Sequence, residues 1–136
     1  MKSKKPSLDT ETLLLGPLPT DAINWALDLD LEPGVTVLTA IISKHVRRRH
    51  PDDHARCLPH VASVVAAPLY VGDDFRNPGK IELIGRVSAL GSALLVAVEM
   101  TRNERGEYEV RSFYPVKDGK VQHRLQRGFL KRVQKR

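Results

Sequence analysis

Apolar positions along this chain recur first at helical and then at strand spacing, which divides it into a helix-rich first half and a strand-rich second half. Thr12-Leu13-Leu14-Leu15 reads as a short edge strand ended by Gly16-Pro17. Val35-Thr36-Val37-Leu38 reads as a β-branched strand after the Pro33-Gly34 turn. Between them, Thr20-Asp21 is expected to cap a helix over 22–27, with Ile23, Ala26 and Leu27 on one face and Trp25 packed near it. Thr39 caps a second predicted helix, roughly 40–50. Ile41, Ile42 and Val46 are its expected buried stripe, His45 sits at the stripe's edge, and Arg47 and Arg48 point to water. A further helix is predicted over 58–67, with Leu58, Val61, Val64 and Val65 inward and Pro68 as its stop.

Strand-like segments follow at 69–71, 80–88, 93–100 and 107–116. Asn77-Pro78-Gly79, Gly91 and Asn103-Glu104-Arg105-Gly106 separate them as turns. Residues 93–100 are apolar on both faces and belong in the middle of the sheet. In 80–88, Ile81, Leu83 and Val87 alternate with Lys80, Glu82 and Arg86, which predicts one face under helices and one polar face. The tail over 122–133, with Leu125, Phe129 and Val133 four residues apart, reads as a short basic helix. The expected fold is α+β: N-terminal helices on one face of a curved antiparallel sheet of about four strands, closed by that helix.

At 136 residues the chain has room for one core, and 41% hydrophobic with 28% charged residues is the balance of a globular protein. No apolar run approaches the roughly 20 residues of a membrane span. The basic start, Met1 to Pro6, leads into Asp9, Glu11 and Pro17 rather than an apolar stretch, so residues 1–10 read as a loose tail, not an export signal. Lone Cys57 excludes an internal disulfide and reads as core filler, not a nucleophile.

Charge changes the picture more than composition does. Residues 1–34 carry −3, whereas residues 35–136 carry 19 basic against 10 acidic side chains, and the last twenty residues alone carry +7. Such a domain favours a polyanion held through its phosphates. Three Phe, three Tyr and one Trp are too few for a base-stacking platform. A nucleic acid is therefore the expected partner, bound mainly by its backbone, with no membrane contact. Lys44, Arg47, Arg48, Arg49, Lys80, Arg86, Arg124 and Lys131 are the candidate RNA-binding residues.

The densest chemistry lies in Lys44-His45-Val46-Arg47-Arg48-Arg49-His50-Pro51. Imidazoles move protons near neutral pH and guanidinium groups hold phosphate. A phosphodiester beside a 2′-hydroxyl needs one base, one acid and stabilised equatorial oxygens, so no cofactor or metal is called for. His45 is the candidate base and His50 the candidate acid. Five residues apart, they lie about 140° round a regular helix, so only the turn at Pro51 brings them to one side. Arg111, Ser112 and Tyr114 are further catalytic candidates, Arg111 as a phosphate grip and the other two as hydroxyl donors. Strand alternation sets Arg111 apart from Ser112 and Tyr114 unless a bulge intervenes.

Competing readings exist for these residues. His45, His50, His54, Cys57 and His60 crowd together, but their spacing matches no tetrahedral zinc pattern. Glu82, Glu99 and Glu109 carry no acidic motif of a metal-dependent DNA nuclease.

The order of elements also carries a resemblance. It rests on Lys44-His45-(x)4-His50-Pro51, Leu58-Pro59 through Ala67-Pro68, Pro78-Gly79-Lys80-Ile81-Glu82-Leu83, the strand 94–100, Ser112-Phe113-Tyr114-Pro115 and Arg124-Leu125-(x)2-Gly128. Together these resemble the phage-associated barnase/EndoU/colicin/RelE-like (BECR) nuclease domains of phage, mobile-element and polymorphic-toxin proteins, over roughly residues 35–133. The resemblance implies helices followed by a curved antiparallel sheet whose open face holds the active cleft. It implies metal-independent cleavage of RNA, often tRNA, and a cognate antitoxin or immunity protein as partner. His45, His50, Ser112 and Tyr114 are the residues it points to. On this reading 35–136 form the BECR-like nuclease domain and 1–34 an N-terminal tail and strand–helix segment. The expected function is a toxin-type endoribonuclease, acting in the cytoplasm and leaving a 2′,3′-cyclic phosphate. The alternative is a non-catalytic nucleic-acid- or partner-binding module on the same fold.

Overall fold

The computed structural model describes residues 11–73 and 78–133. The tail expected over 1–10 and part of the turn expected at Asn77-Pro78-Gly79 lie outside the described residues. Strand β1 (Leu13–Pro17), helix α1 (Thr20–Leu27) and strand β2 (Val35–Leu38) lead into helices α2 (Ala40–Arg49), α3 (Pro51–Cys57) and α4 (Val61–Ala66), the last two joined by a 3₁₀ turn at Leu58–His60. Strands β3 (Tyr70–Asp73), β4 (Lys80–Val87), β5 (Ser92–Glu99) and β6 (Tyr108–Val116) follow, then helix α5 (Asp118–Gln126) and strand β7 (Leu130–Arg132).

The class is α+β, but the sheet is larger than expected and is mixed. Its seven strands run in the order β1-β2-β6-β5-β4-β3-β7. β2 is parallel to β6 and the remaining neighbours are antiparallel. The four strands β3 to β6 form the antiparallel centre that the alternation predicted. β1 and β2, readable as strands, add to one edge. β7 adds to the other from a stretch expected to be helical.

That last difference has a local cause. Helix α5 starts at Asp118 and stops at Gln126, because Gly128 takes a left-handed φ of 80°. Gly128 N–H donates to Leu125 O and Phe129 N–H to Arg124 O, the paired bonds of a Schellman stop. The chain beyond is then free to pair with β3. Gly72 on β3 admits it: a Cβ there would meet Phe129 O and Leu130 Cδ2 at 2.7 Å.

Helices α1 to α4 cover one sheet face, where Ile23, Val61, Val65, Leu83, Val96 and Phe113 belong to the main core. β1, α1 and the link between them contribute Leu15, Ile23 and Leu18 to it, so the acidic segment before residue 35 is built into the sheet and core. The opposite face is not simply polar. Ile84, Leu95, Val116, Val121 and Leu130 form a second, smaller core under α5. The all-apolar β5 requires cover on both sides, since each fully buried Val or Leu contributes roughly 1.5–3 kcal/mol.

Smaller expectations fail for geometric reasons. Ile41 is 80% exposed, because Ile42, Ser43 and Val46 make the inward stripe of α2 and Ile41 lies about 140° from Val46. Trp25 is 59% exposed. Pro19, not Thr20, holds the N-cap position of α1, and Thr20 is buried in its first turn. The helix expected over 58–67 divides into the 3₁₀ turn and α4, and Pro51 starts a helix as well as ending one.

Candidate active site

The site begins where β2 leaves the sheet. Thr39 Oγ1 accepts from the Ile42 N–H at 3.4 Å and turns the chain into α2. β2 therefore pairs β6 only at Tyr108 and Glu109, and the rest of the β6 edge has no β2 partner. Helices α2 and α3 pack against β6 instead.

At the other end of α2, Pro51 disfavours helical backbone at the residue before it. His50 accordingly sits at φ −142°, ψ 72°. Its N–H still donates to Val46 O and its carbonyl accepts from the His54 N–H, both at 2.8 Å. His50 is thus the last joint of one helix and the first of the next. Pro51 supplies the first residue of α3, where a missing N–H costs nothing, and Asp52 and Asp53 occupy its first turn.

Between this joint and the β6 edge opens a cleft of about 230 Å³ lined by His45, Val46, Arg49, His50, Ser112, Phe113 and Tyr114. The structure brings together four of the five catalytic candidates, His45, His50, Ser112 and Tyr114. Both histidines are exposed to solvent. The break at Pro51 supplies the rotation that a regular helix would have denied them.

Arg111 is the exception, even though a bulge does intervene. Ala97 pairs with Ser112 and Val98 with Val110, so Arg111 is skipped in the β5–β6 register. The extra residue puts Val110 and Phe113 on the same, main-core side. Arg111 does not line the cleft. Its guanidinium lies 3.8 Å from both the Glu99 and Glu109 carboxylates. Arg49, expected only as an RNA contact, is the cation in the cleft wall.

The other basic candidates divide into groups. Lys44, Arg47 and Arg48 are exposed along α2. Arg86 pairs with Asp118 at 2.9 Å and Arg124 with Glu82 at 3.0 Å, both on the α5 side of the sheet. Lys80, in register with Glu99, and Lys131, in register with Val71, do not line the cleft.

The crowded histidines and the cysteine are dispersed. Cys57 is fully buried, and burial first, then the Asp53 carboxylate, push its thiol above the ordinary range, with Arg56 opposing. His54 is buried on α3, where its Nε2 lies 2.9 Å from Ser43 Oγ on α2. Its ring also meets Phe113 at 5.7 Å between centroids. Burial, and secondarily the Arg47 charge, hold His54 below its ordinary pKa. Ser43, His54 and Phe113 form a closed link that ties α2, α3 and β6 together directly behind the cleft. The sequence reading weighed His54 only as a metal ligand and passed over Ser43. A hydroxyl inside an apolar stripe, which needs a buried partner, was the signal for both. Among the described residues, no three His, Cys, Asp or Glu side chains converge as a metal site.

A family of phage-Barnase-EndoU-ColicinE5/D-RelE like nucleases, the third of its kind, matches residues 15–123. The chain belongs to this family. Membership supports nuclease function in general, and the match begins inside β1, so it spans the cleft, both cores and most of α5. Neither the comparison with curated proteins nor that with solved structures gave a match. Among the described residues, no helix is long and apolar enough to cross a membrane.

Proposed function

We propose that this nuclease-family protein is an endoribonuclease that cleaves by internal transesterification. The observation that carries the reading is the cleft in which His45, His50, Arg49, Ser112 and Tyr114 meet. His45 takes the proton of the 2′-hydroxyl as its oxygen bonds to phosphorus. The bond from phosphorus to the 5′ oxygen breaks, and His50 gives that oxygen a proton. The products are a 2′,3′-cyclic phosphate and a free 5′-hydroxyl. Arg49 and the hydroxyls of Ser112 and Tyr114 stabilise the charged equatorial oxygens. RNA supplies its own nucleophile, so the step is written without a metal.

The basic surface of α2 supports a polyanionic, structured substrate such as tRNA, drawn in by charge. The finer parts of this reading are a toxin role in the cytoplasm and neutralisation by an antitoxin or immunity protein that covers the cleft. These rest on the family and on the exposure of Lys44, Arg48 and Arg49.

Incubation of the protein with total RNA in EDTA tests the reaction, with the new ends mapped chemically. Cyclic phosphate ends that disappear with His45→Ala are expected. Intact RNA that is nonetheless bound, with an affinity that falls with salt, would replace the enzyme with a binding module.

A further inference from the structure

The cleft has a neighbour. On the far side of Tyr114 lies a second cavity, about 660 Å³, lined by Tyr114, Pro115, Val116, Lys117, Gly119, Lys120 and Arg124. It forms where β6 ends and α5 begins, and Tyr114 belongs to both walls. Tyr114 and Val116, paired with Leu95 and Ala93 on the α5 side of the sheet, give its β6 wall, and Lys117, Lys120 and Arg124 supply its cations. Arg124 is held by Glu82. Lys117 and Lys120 are exposed, and no carboxylate among the described residues pairs with either. Asp118, the nearest acid in the chain, is engaged by Arg86.

We propose that this second cavity is a nucleotide subsite, which holds a nucleotide flanking the one cut in the cleft. The proposal rests on the nuclease reading above and extends it. The aromatic ring of Tyr114 offers a base a flat apolar surface, which accepts any of the four bases. Two unpaired ammonium groups on the rim match the phosphates on either side of that base. Because Tyr114 borders both cavities, a strand whose scissile phosphate lies between His45 and His50 continues past it into the second one. The reading accounts for a large cavity on the α5 side of the sheet, and for two exposed lysines whose ammonium groups pair with no carboxylate among the described residues.

Two variants test it in the full-length protein. Lys117→Ala with Lys120→Ala removes the rim charges. Gly119→Leu fills the cavity: its φ is an ordinary one and a Cβ there would meet nothing within 4 Å. The probe is a 2′-O-methyl pentanucleotide, which carries no nucleophile and stays whole. Both variants are expected to bind it about 10-fold more weakly than wild type. In the lysine variant the slope of log K against log salt should also fall by about 1.4, roughly 0.7 per lost phosphate contact. Removal of Arg102 and Arg105, from the turn at the opposite end of β6, matches the charge change and should leave binding within twofold. Cleavage of a nucleoside 3′-aryl phosphate, which carries a single nucleoside and no flanking one, should be unchanged in both subsite variants.

Equal affinity and equal salt slope in wild type and variants overturn the subsite and leave the nuclease reading standing. A wild type that binds no pentanucleotide overturns it as well. A wild type that binds with the stated differences yet cuts no RNA refutes the nuclease reading while the subsite stands.

Discussion

The histidines on α2 and α3 stand in two environments. On one side His45 and His50 line an open cleft; on the other His54 is sealed against Ser43 and Phe113. The side chains are chemically the same, and what separates them is solvent. An imidazole in a wet cleft exchanges protons with substrate. One buried beside a hydroxyl is held neutral and serves as a hydrogen-bonded strut. In the proposed reaction the closed pair holds the geometry for the open one, because it fastens both helices to the strand that supplies Ser112 and Tyr114.

The contrast breaks most visibly at His45. His45→Ala should lower RNA cleavage by about 10²–10⁴-fold, the usual contribution of a proton-transfer group. Its thermal unfolding should match wild type, since the side chain is exposed. Equal losses of activity and stability would show that the residue is structural. His54→Ala should do the reverse in kind. A cavity and an orphaned Ser43 hydroxyl together cost about 2–4 kcal/mol in denaturant unfolding, so a shift of a few tenths of a kcal/mol would dismiss the strut.

Arg49→Ala should reduce cleavage about 10–100-fold, whereas Arg111→Ala should change it less than threefold. If the two rank the other way, the cation assignment moves back to the bulge. For stability, Arg111→Ala should cost no more than about 1 kcal/mol, because its ion pairs are long and half-exposed.

Acidity sharpens the comparison by a smaller amount. His54 in the folded protein titrates below its ordinary value of about 6.5. As pH falls through that value the unfolded chain takes up a proton that the native state refuses, so stability declines until the lowered native pKa is reached. Above about pH 6.5 the contribution is fully present. Melting scans between pH 7.5 and 5 should therefore show wild type losing more stability than His54→Phe. Parallel curves would mean that His54 is not held neutral.

The elements of this fold were readable where one local rule acted alone. The four central strands, the Thr39 cap and the break at His50-Pro51 follow from alternation, a side-chain cap and the geometry before proline. Misreadings arose where two rules competed. Gly128, quoted as part of a motif, was not weighed as a helix stop, so β7 appeared as helix. Ser43 was passed over in favour of Ile41, because hydrophobicity ranked Ile41 higher while helix geometry placed it outward. The cleft residues His45, His50, Ser112 and Tyr114 stand out in the sequence because reactive residue types are dense at one helix end and in one strand. Arg111 lies outside the cleft beside Glu99 and Glu109, and the Glu99 carboxylate comes from β5, so no pattern in β6 alone signals it.

By itself the sequence determined the residue types on which the proposed chemistry rests, the basic field around them, and the backbone break that frees His50 from its helix. These are properties of the chain that its neighbours in sequence enforce. Tertiary structure alone decided that the break faces the open edge of β6, that Arg49 replaces Arg111 in the wall, and that His54 is a strut. Each of those outcomes depends on contacts between segments far apart in the chain, and no local pattern encodes a distance in space.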